Sequence, residues 1–196
     1  MPRAGLAPAS VTEAGADLAD EIGIAQMSMG LVAERLGVKT PSLYKHVDNL
    51  ADLVHRVGIL AMNELGDTIR DAIAGRSGRE ALVAGTRAMR DYVVAHPGRY
   101  AAGNAAQITG PDDPLMAAAN RVMDSWAAML HGYRIDPAQQ THALRMLRSL
   151  LHGFATLQAE HSFQLGTDLD ESFDWMIDFV DQSLTRAATP TRSERG

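Results

Sequence analysis

The chain has 196 residues, enough for one large domain or a small domain joined to a larger one, and 46% are apolar against 21% charged, so it has the material for a core. Cysteine is absent, which excludes a disulfide framework and cysteine-ligated metals; no apolar run approaches the ~20 residues of a membrane span, and the opening MPRAGLAPAS lacks the apolar centre of a signal peptide, so a cytoplasmic location is expected. Net charge is −6, and residues 1–50 carry four bases against six acids, so bulk charge announces no nucleic-acid binder and such a reading must rest on local arrangement.

Alanine, leucine and methionine are plentiful, aromatics are 5%, and no segment alternates apolar and polar residues as a strand does. An all-α fold of about nine helices is expected. Residues 1–9 are expected to be disordered. Ser10-Val11-Thr12-Glu13 has capping-box spacing and predicts a first helix there, with Val11, Ala14, Leu18 and Ile22 inward and Gly23 as its stop. Ser28 is the expected cap of a second helix, ending at Gly37. Thr40 is the expected cap of a short third, with Pro41 at its first position, ending near Val47. Asp48 or Asn49 caps a fourth that runs towards Ala74. A fifth covers 79–95, a short sixth follows HPGRY, and a seventh covers 114–131 after the turn-rich TGPDDP. Asp136-Pro137 opens an eighth expected to reach Phe163, and a ninth covers 169–187. The tail, 188–196, is expected to be disordered.

The third predicted helix has a readable outer face. On a wheel of ~100° per residue, Leu43 and Val47 point one way and can bury with Leu36 and Val38. The opposite arc holds Pro41, Ser42 and Lys45, flanked by Tyr44 and His46. The chain's two lysines, Lys39 and Lys45, both fall in this stretch. A short helix of this kind can enter the major groove and offer side chains to base edges, with its free N–H groups near a phosphate. Two helices joined by a Gly-Val turn and backed by a supporting helix make a helix-turn-helix.

Residues 10–60 resemble the DNA-binding domain of the tetracycline-repressor (TetR) family. The matching stretch is SMGLVAERLGVKTPSLYKHVDNLADLV, residues 28–54, through Val32-Ala33, Leu36-Gly37-Val38, Leu43-Tyr44, His46-Val47 and Leu53. LLHGFATLQ and DESFDWMIDFV resemble, less specifically, the ligand-binding half of some members. The resemblance implies a helix-turn-helix DNA-binding domain over 10–48 and a ligand-binding and dimerisation domain over 49–187. It implies DNA contacts from Thr40, Ser42, Tyr44, Lys45 and His46, with Lys39 beside them, and a phosphate contact from Ser28. Gly30 departs from the family, standing where many members carry a polar or basic reader. Asp48 and Leu50 stand where members often place a lysine. Fewer phosphate contacts imply weaker binding and a shallower salt slope.

Residues 55–187 carry no phosphate loop, nucleophile elbow or His-Glu metal motif, so no enzyme, metal or cofactor is expected. His46, His55, His96, His131, His142, His152 and His161 are scattered and read as core or surface histidines. Soft and aromatic residues form a second set: Met89, Tyr92, His96, Tyr100, Met123, Trp126, Met129, Phe154 and Gln158. Methionine adapts to varied shapes, and Tyr, Trp and Gln add directed hydrogen bonds to an apolar wall. Each alone reads as core packing; as a set they suit a small-molecule cavity, chiefly because the resemblance implies one.

The ninth predicted helix gathers Phe173, Met176, Ile177, Val180 and Leu184 on one face and Asp170, Asp174, Asp178 and Asp181 on a stripe expected to be solvated. The eighth gathers Leu144, Leu147, Leu151 and Phe154, widened by Leu150 and Leu157, with Gly153 permitting close approach. These faces can cover the core of one chain or meet a twofold copy. The resemblance implies a homodimer through both helices. The expected function is a ligand-responsive regulator, in the family's usual sense a repressor, that binds a palindromic double-stranded DNA operator and is released by a small-molecule effector. Its rivals are a helical small-molecule-binding protein with weak or lost DNA binding, and an enzyme using the cavity, for which no nucleophile–base pair is present.

Overall fold

A computed structural model of the protein describes residues 6–187. Among them are eight α-helices, three 3₁₀ segments and no β-strand. The helices are α1 (Pro8–Ile22), α2 (Met29–Arg35), α3 (Leu50–Ile73), α4 (Gly78–Ala95), α5 (Pro97–Ala105), α6 (Pro114–Leu130), α7 (Pro137–Ala159) and α8 (Leu169–Arg186). The third predicted helix is a 3₁₀ segment, Thr40–Lys45, and predicted helices four to nine are α3 to α8. The predicted disordered tail lies outside the described residues, as do residues 1–5 of the predicted N-terminal segment; Pro8 and Ala9 are helical.

The chain forms two compact units. One comprises Met1–Glu64 and Ala95–Arg121, the other Leu65–Val94 and Val122–Gly196. In the first unit, Val11, Leu18, Val32, Leu43, Leu53 and Val57 build one apolar cluster that also takes in Ala102 of α5. In the second, Leu82, Met129, Leu147, Leu151, Phe173 and Ile177 are fully buried.

Several helix ends follow the sequence. The Ser28 hydroxyl accepts from the Leu31 amide at 3.3 Å, and Asn49 Oδ1 accepts from the Asp52 amide at 2.9 Å. Asp136 caps α7 through the Ala138 amide at 2.9 Å, and Asp168 caps α8 through the Asp170 and Glu171 amides at 2.7 and 3.0 Å. Gly37 ends α2 with a φ of 65°, a left-handed value natural to a residue without Cβ. The Val38 amide then reaches back to the Ala33 carbonyl at 3.0 Å, completing a Schellman turn.

Four boundaries differ, one of them α5, which starts at Pro97 within HPGRY, the proline at its first helical position, and not after it. α1 starts at Pro8 rather than Ser10, because Ser10 turns back on Ala7: its hydroxyl accepts the Ala7 N–H at 3.0 Å and donates to the Ala7 carbonyl at 2.8 Å. Thr40 is not a cap. Lys39 holds that position in extended backbone without a side-chain cap bond, and the turn that follows is tightened by Ser42 N–H to the Lys39 carbonyl at 2.8 Å. α7 stops at Ala159, four residues before Phe163. His161 takes a φ of 55°, and the reversed chain lays the Phe163 ring 5.0 Å from that of Phe154.

Candidate functional site

The Thr40–Lys45 segment is anchored from beneath. Leu43 is 0% exposed and Val47 1%, both within the apolar cluster of the first unit. Tyr44 between them is 53% exposed. Lys39 and Lys45 are also exposed, while Thr40, Ser42 and His46 are half-buried. Ser28 is exposed at the start of α2, its hydroxyl committed to its own helix end. One buried anchor within this six-residue turn and a second two residues beyond it thus fix the outward direction of Tyr44 and Lys45 without help from the turn's own helical propensity, which is weak.

Electrostatics sharpen this face. Arg35, one turn upstream, is tied to Glu21. Arg56 is tied to Asp52 at 3.0 Å. Among the described residues neither Lys39 nor Lys45 has an acidic partner, so two uncompensated cations remain on a unit otherwise rich in acids. Gly30 is exposed, with only the Ser28 hydroxyl near its missing side chain, and Asp48 is exposed just beyond the segment.

The second predicted set divides between the units. His96 and Tyr100 belong to the first; Met89, Tyr92, Met123, Trp126, Met129, Phe154 and Gln158 belong to the second. Met89, Tyr92, Trp126 and Met129 are buried, and Met123 is exposed. Trp126 Nε1–H is fully buried and has no partner among the described residues. An indole donor in that condition forfeits hydration without replacement, so it is poised for an acceptor. His96 Nδ1 sits 2.9 Å from Asp20 Oδ2, and Tyr100 is buried beside it in sequence on α5.

Phe154 and Gln158 gather around a residue that sequence reasoning did not single out. Arg90, buried on α4, donates from Nε to Gln158 Oε1 at 2.7 Å and from Nη1 to Asp170 at 2.6 Å. Its guanidinium carbon lies 5.5 Å from the Phe154 ring centre and 4.8 Å from that of Phe173. Asp170 is the first of a row. Asp174 pairs with Arg87 at 2.7 Å, Asp178 with Arg79 at 2.7 Å, and Asp181 with Arg79 at 3.4 Å. The acidic stripe of α8 therefore docks on α4 instead of facing only water. An open groove of about 640 Å³ runs along α4 beside this row, lined by Arg76, Arg79, Glu80, Val83, Ala84 and Arg87. None of the predicted ligand residues lines it.

Of the two uses left open for the apolar face of α8, covering the chain's own core is the one seen. Phe173, Ile177, Val180 and Leu184 are buried within the chain itself. What α8 leaves outside is Trp175, 73% exposed, and Phe179, 60% exposed, with rings stacked 6.2 Å apart. Leu157 of α7 is exposed as well, and a Cβ added to Gly153 meets nothing. The i, i+4 spacing of Trp175 and Phe179 within DWMIDF carried this signal.

A buried carboxylate completes the inventory of the first unit. Asp113 accepts from the Thr109 and Leu115 amides at 2.8 and 2.9 Å, from the Thr109 hydroxyl at 2.8 Å, and lies 3.0 Å from His55 Nε2 of α3. The two amide donors, more than burial opposes them, hold its carboxyl far below the usual carboxylate range, with Thr109 Oγ1 and His55 adding to the effect. Among the described residues no group of three or more His, Cys, Asp or Glu could hold a metal ion, and no helix is long and apolar enough to cross a membrane.

Comparison with known proteins adds the following. Residues 82–180 match the family model described as "Tetracyclin repressor-like, C-terminal domain". The chain is 31% identical over 179 residues to the uncharacterized HTH-type transcriptional regulator Rv0681 of Mycobacterium tuberculosis, covering 91% of this chain and 79% of that one. Its fold is similar to that of BioQ, solved with its natural double-stranded DNA operator, with a TM-score of 0.68 and 19% identity over 93% of this chain and 99% of that one. It is similar also to a TetR variant from Acinetobacter baumannii AYE in complex with minocycline, with a TM-score of 0.69 and 20% identity over 95% of this chain and 100% of that one.

Proposed function

Because the chain belongs to the tetracycline-repressor family of helix-turn-helix transcriptional regulators, we propose that it is a ligand-responsive repressor which binds a palindromic operator as a homodimer in the cytoplasm and is released by a small-molecule effector. The observation that carries the DNA reading is the anchored turn, with Leu43 and Val47 beneath and Lys39, Tyr44 and Lys45 free above. Lysine offers a point charge to phosphate, while Tyr44 reaches phosphate oxygen or a thymine methyl from the groove. Ser28, Thr40, Ser42 and His46 complete the contact set. BioQ, whose fold is similar, is known with its DNA operator, which supports this reading.

Homodimerisation is supported by the stacked, exposed Trp175–Phe179 pair, the exposed Leu157 and the open space over Gly153. Two α7–α8 pairs can close into a four-helix bundle around such a patch. A palindromic operator calls for two readers about one DNA turn, ~34 Å, apart. The effector reading is supported by Met89, Tyr92, Trp126 and Met129, all buried in the second unit, by the Trp126 indole donor without an acceptor, and by the minocycline complex of the TetR variant. Met123, Phe154, Gln158, His96 and Tyr100 are further candidates for this contact. The effector prefers a conformation in which the readers leave register, and operator affinity falls by that difference, ~1–3 kcal/mol in typical couplings. α3 begins beside the reader and continues into the second unit, which makes it a natural lever.

Gly30, Asp48 and Leu50 favour a second reading, a ligand-binding protein with weak DNA affinity, since each removes a donor from the DNA side. A gel shift with the DNA upstream of the protein's own coding sequence tests both. Retardation that a small-molecule extract reverses supports the repressor; no retardation at low salt leaves the second reading.

A further inference from the structure

The turn Thr40–Lys45 is a 3₁₀ segment, and its pitch decides which side chains share an edge. At three residues a turn, side chains three apart eclipse one another. The rows are then Thr40 with Leu43, Pro41 with Tyr44, and Ser42 with Lys45. Leu43 is fully buried, while Thr40 and Ser42 are half-buried. Pro41 and Tyr44 are both exposed, so theirs is the row that faces outward along its whole length. An α pitch would instead set Pro41 nearest Lys45, at ~40° round the axis.

That outer row is apolar. Proline ends in a ring without a polar atom, and tyrosine has one hydroxyl, which can hold a phosphate oxygen while its ring meets a base. Neither can form the paired hydrogen bonds through which arginine or lysine takes guanine and asparagine or glutamine takes adenine. No arginine, asparagine or glutamine occurs between residues 36 and 48. α2 offers no substitute: Gly30 has no side chain, the exposed Leu31 beside it is apolar, and Arg35 is tied to Glu21. Among the groups that base pairs present in the major groove, the C5 methyl of thymine is the apolar one. With ~2.0 Å of rise per residue, Pro41 and Tyr44 stand about 6 Å apart along the segment, while bases of one strand recur every ~3.4 Å. The ridge therefore spans about two base steps.

We propose that the protein identifies its operator chiefly by pyrimidine C5 methyl groups taken by the Pro41–Tyr44 ridge, while the lysines hold phosphates and guanine goes unread. Pro41 and Tyr44 are its specificity-determining residues. The proposal rests on the reading of the chain as a DNA-binding regulator and names the group within the operator that it recognises. One consequence separates it from readout by hydrogen bonds: 5-methylcytosine, which carries the same methyl, takes the place of thymine.

The test uses the full chain and the upstream DNA fragment that the wild type retards, remade with altered bases. Deoxyuridine pairs as thymine does but lacks the methyl. At about 4-fold for each methyl buried, replacing every thymine weakens binding about 15-fold with one methyl taken in each half-site and about 200-fold with two. Replacing guanine by 7-deazaguanine, which lacks the N7 acceptor, changes nothing. Where a single T·A to C·G change weakens binding, 5-methylation of that cytosine restores most of it. The double variant Pro41→Ala, Tyr44→Ala binds thymine and deoxyuridine DNA alike, which separates contact with the methyl from its effect on DNA shape. Equal wild-type affinity for thymine and deoxyuridine DNA overturns the proposal. So does a larger loss on 7-deazaguanine than on deoxyuridine, or a double variant that still prefers thymine. Should the double variant not fold, the altered bases decide with the wild type alone. A wild type that retards no DNA overturns the regulator reading, and the ridge falls with it.

Discussion

Leu43 and Tyr44 are neighbours with opposite duties, and substituting each with alanine separates folding from recognition. Leu43 is 0% exposed, so truncation deletes buried methyl groups and leaves a void, at about 2–5 kcal/mol. With an unfolding entropy of ~2.1 cal/mol/K per residue, a chain of 196 residues loses roughly 0.4 kcal/mol per degree, so a 3 kcal/mol loss lowers Tm by about 7 °C. Tyr44 is 53% exposed and sits off the core, so Tyr44→Ala costs within ~0.5 kcal/mol, about 1 °C. On DNA the order reverses. One hydrogen bond lost from each of two readers, at ~1 kcal/mol apiece, weakens operator binding about 30-fold. Leu43→Ala binds nearly normally at a temperature where it is folded. Scanning calorimetry and a fluorescence-anisotropy titration on the upstream DNA measure the two quantities. A Tyr44→Ala protein that melts as early as Leu43→Ala, or that binds DNA as the wild type does, refutes the assignment of inner and outer faces.

Further outcomes follow from the same geometry. Lys45→Ala removes one phosphate contact per reader, so the slope of log affinity against log salt becomes shallower by about 2 in the dimer; an unchanged slope places Lys45 away from the backbone. Trp175→Ala combined with Phe179→Ala yields a folded monomer in sedimentation equilibrium at concentrations where the wild type is dimeric, and a dimer of unchanged strength sends the interface elsewhere. Trp126→Phe removes a buried donor that has no partner, so Tm stays level or rises; a fall of several degrees means the indole N–H is satisfied in the folded protein. Asp113 has a depressed carboxyl pKa, so the charge contributes stability fully above the ordinary carboxylate value, ~3.9, and loses it as pH falls below that towards the folded-state value. The Tm gap between wild type and Asp113→Asn is accordingly constant near neutrality and shrinks below about pH 4; a gap that widens in acid contradicts the sign.

Local signals told the truth about local things. Ser28, Asn49 and Asp136 cap the helices their spacing announces, and Leu43 and Val47 bury as the wheel requires. Even there the pitch differs from that of an α-helical wheel: the turn is 3₁₀, and the anchors bury because the surrounding cluster holds them, whatever the local pitch. Long-range pairing was illegible. The aspartates of α8 recur at i, i+4, which in one sequence is also the mark of a solvated stripe. Their partners, Arg79, Arg87 and Arg90, stand roughly ninety residues upstream, and nothing local connects the two rows. For the same reason the bond between Gln158 and Arg90 could not be read from the sequence. HPGR read as punctuation because its meaning lies in Asp20, on a helix completed long before.

The chain's two primary side-chain amines are Lys39 and Lys45, and both stand exposed at the reader. Amine chemistry therefore has, apart from the α-amino group, a single destination on this protein. On the proposed reading, acetylation there weakens the protein's hold on DNA without touching the fold. Coupling it to a sensor chip through amines would blind it to DNA, whereas labelling with a succinimidyl ester, read by mass spectrometry, becomes a footprint of the operator with almost no background.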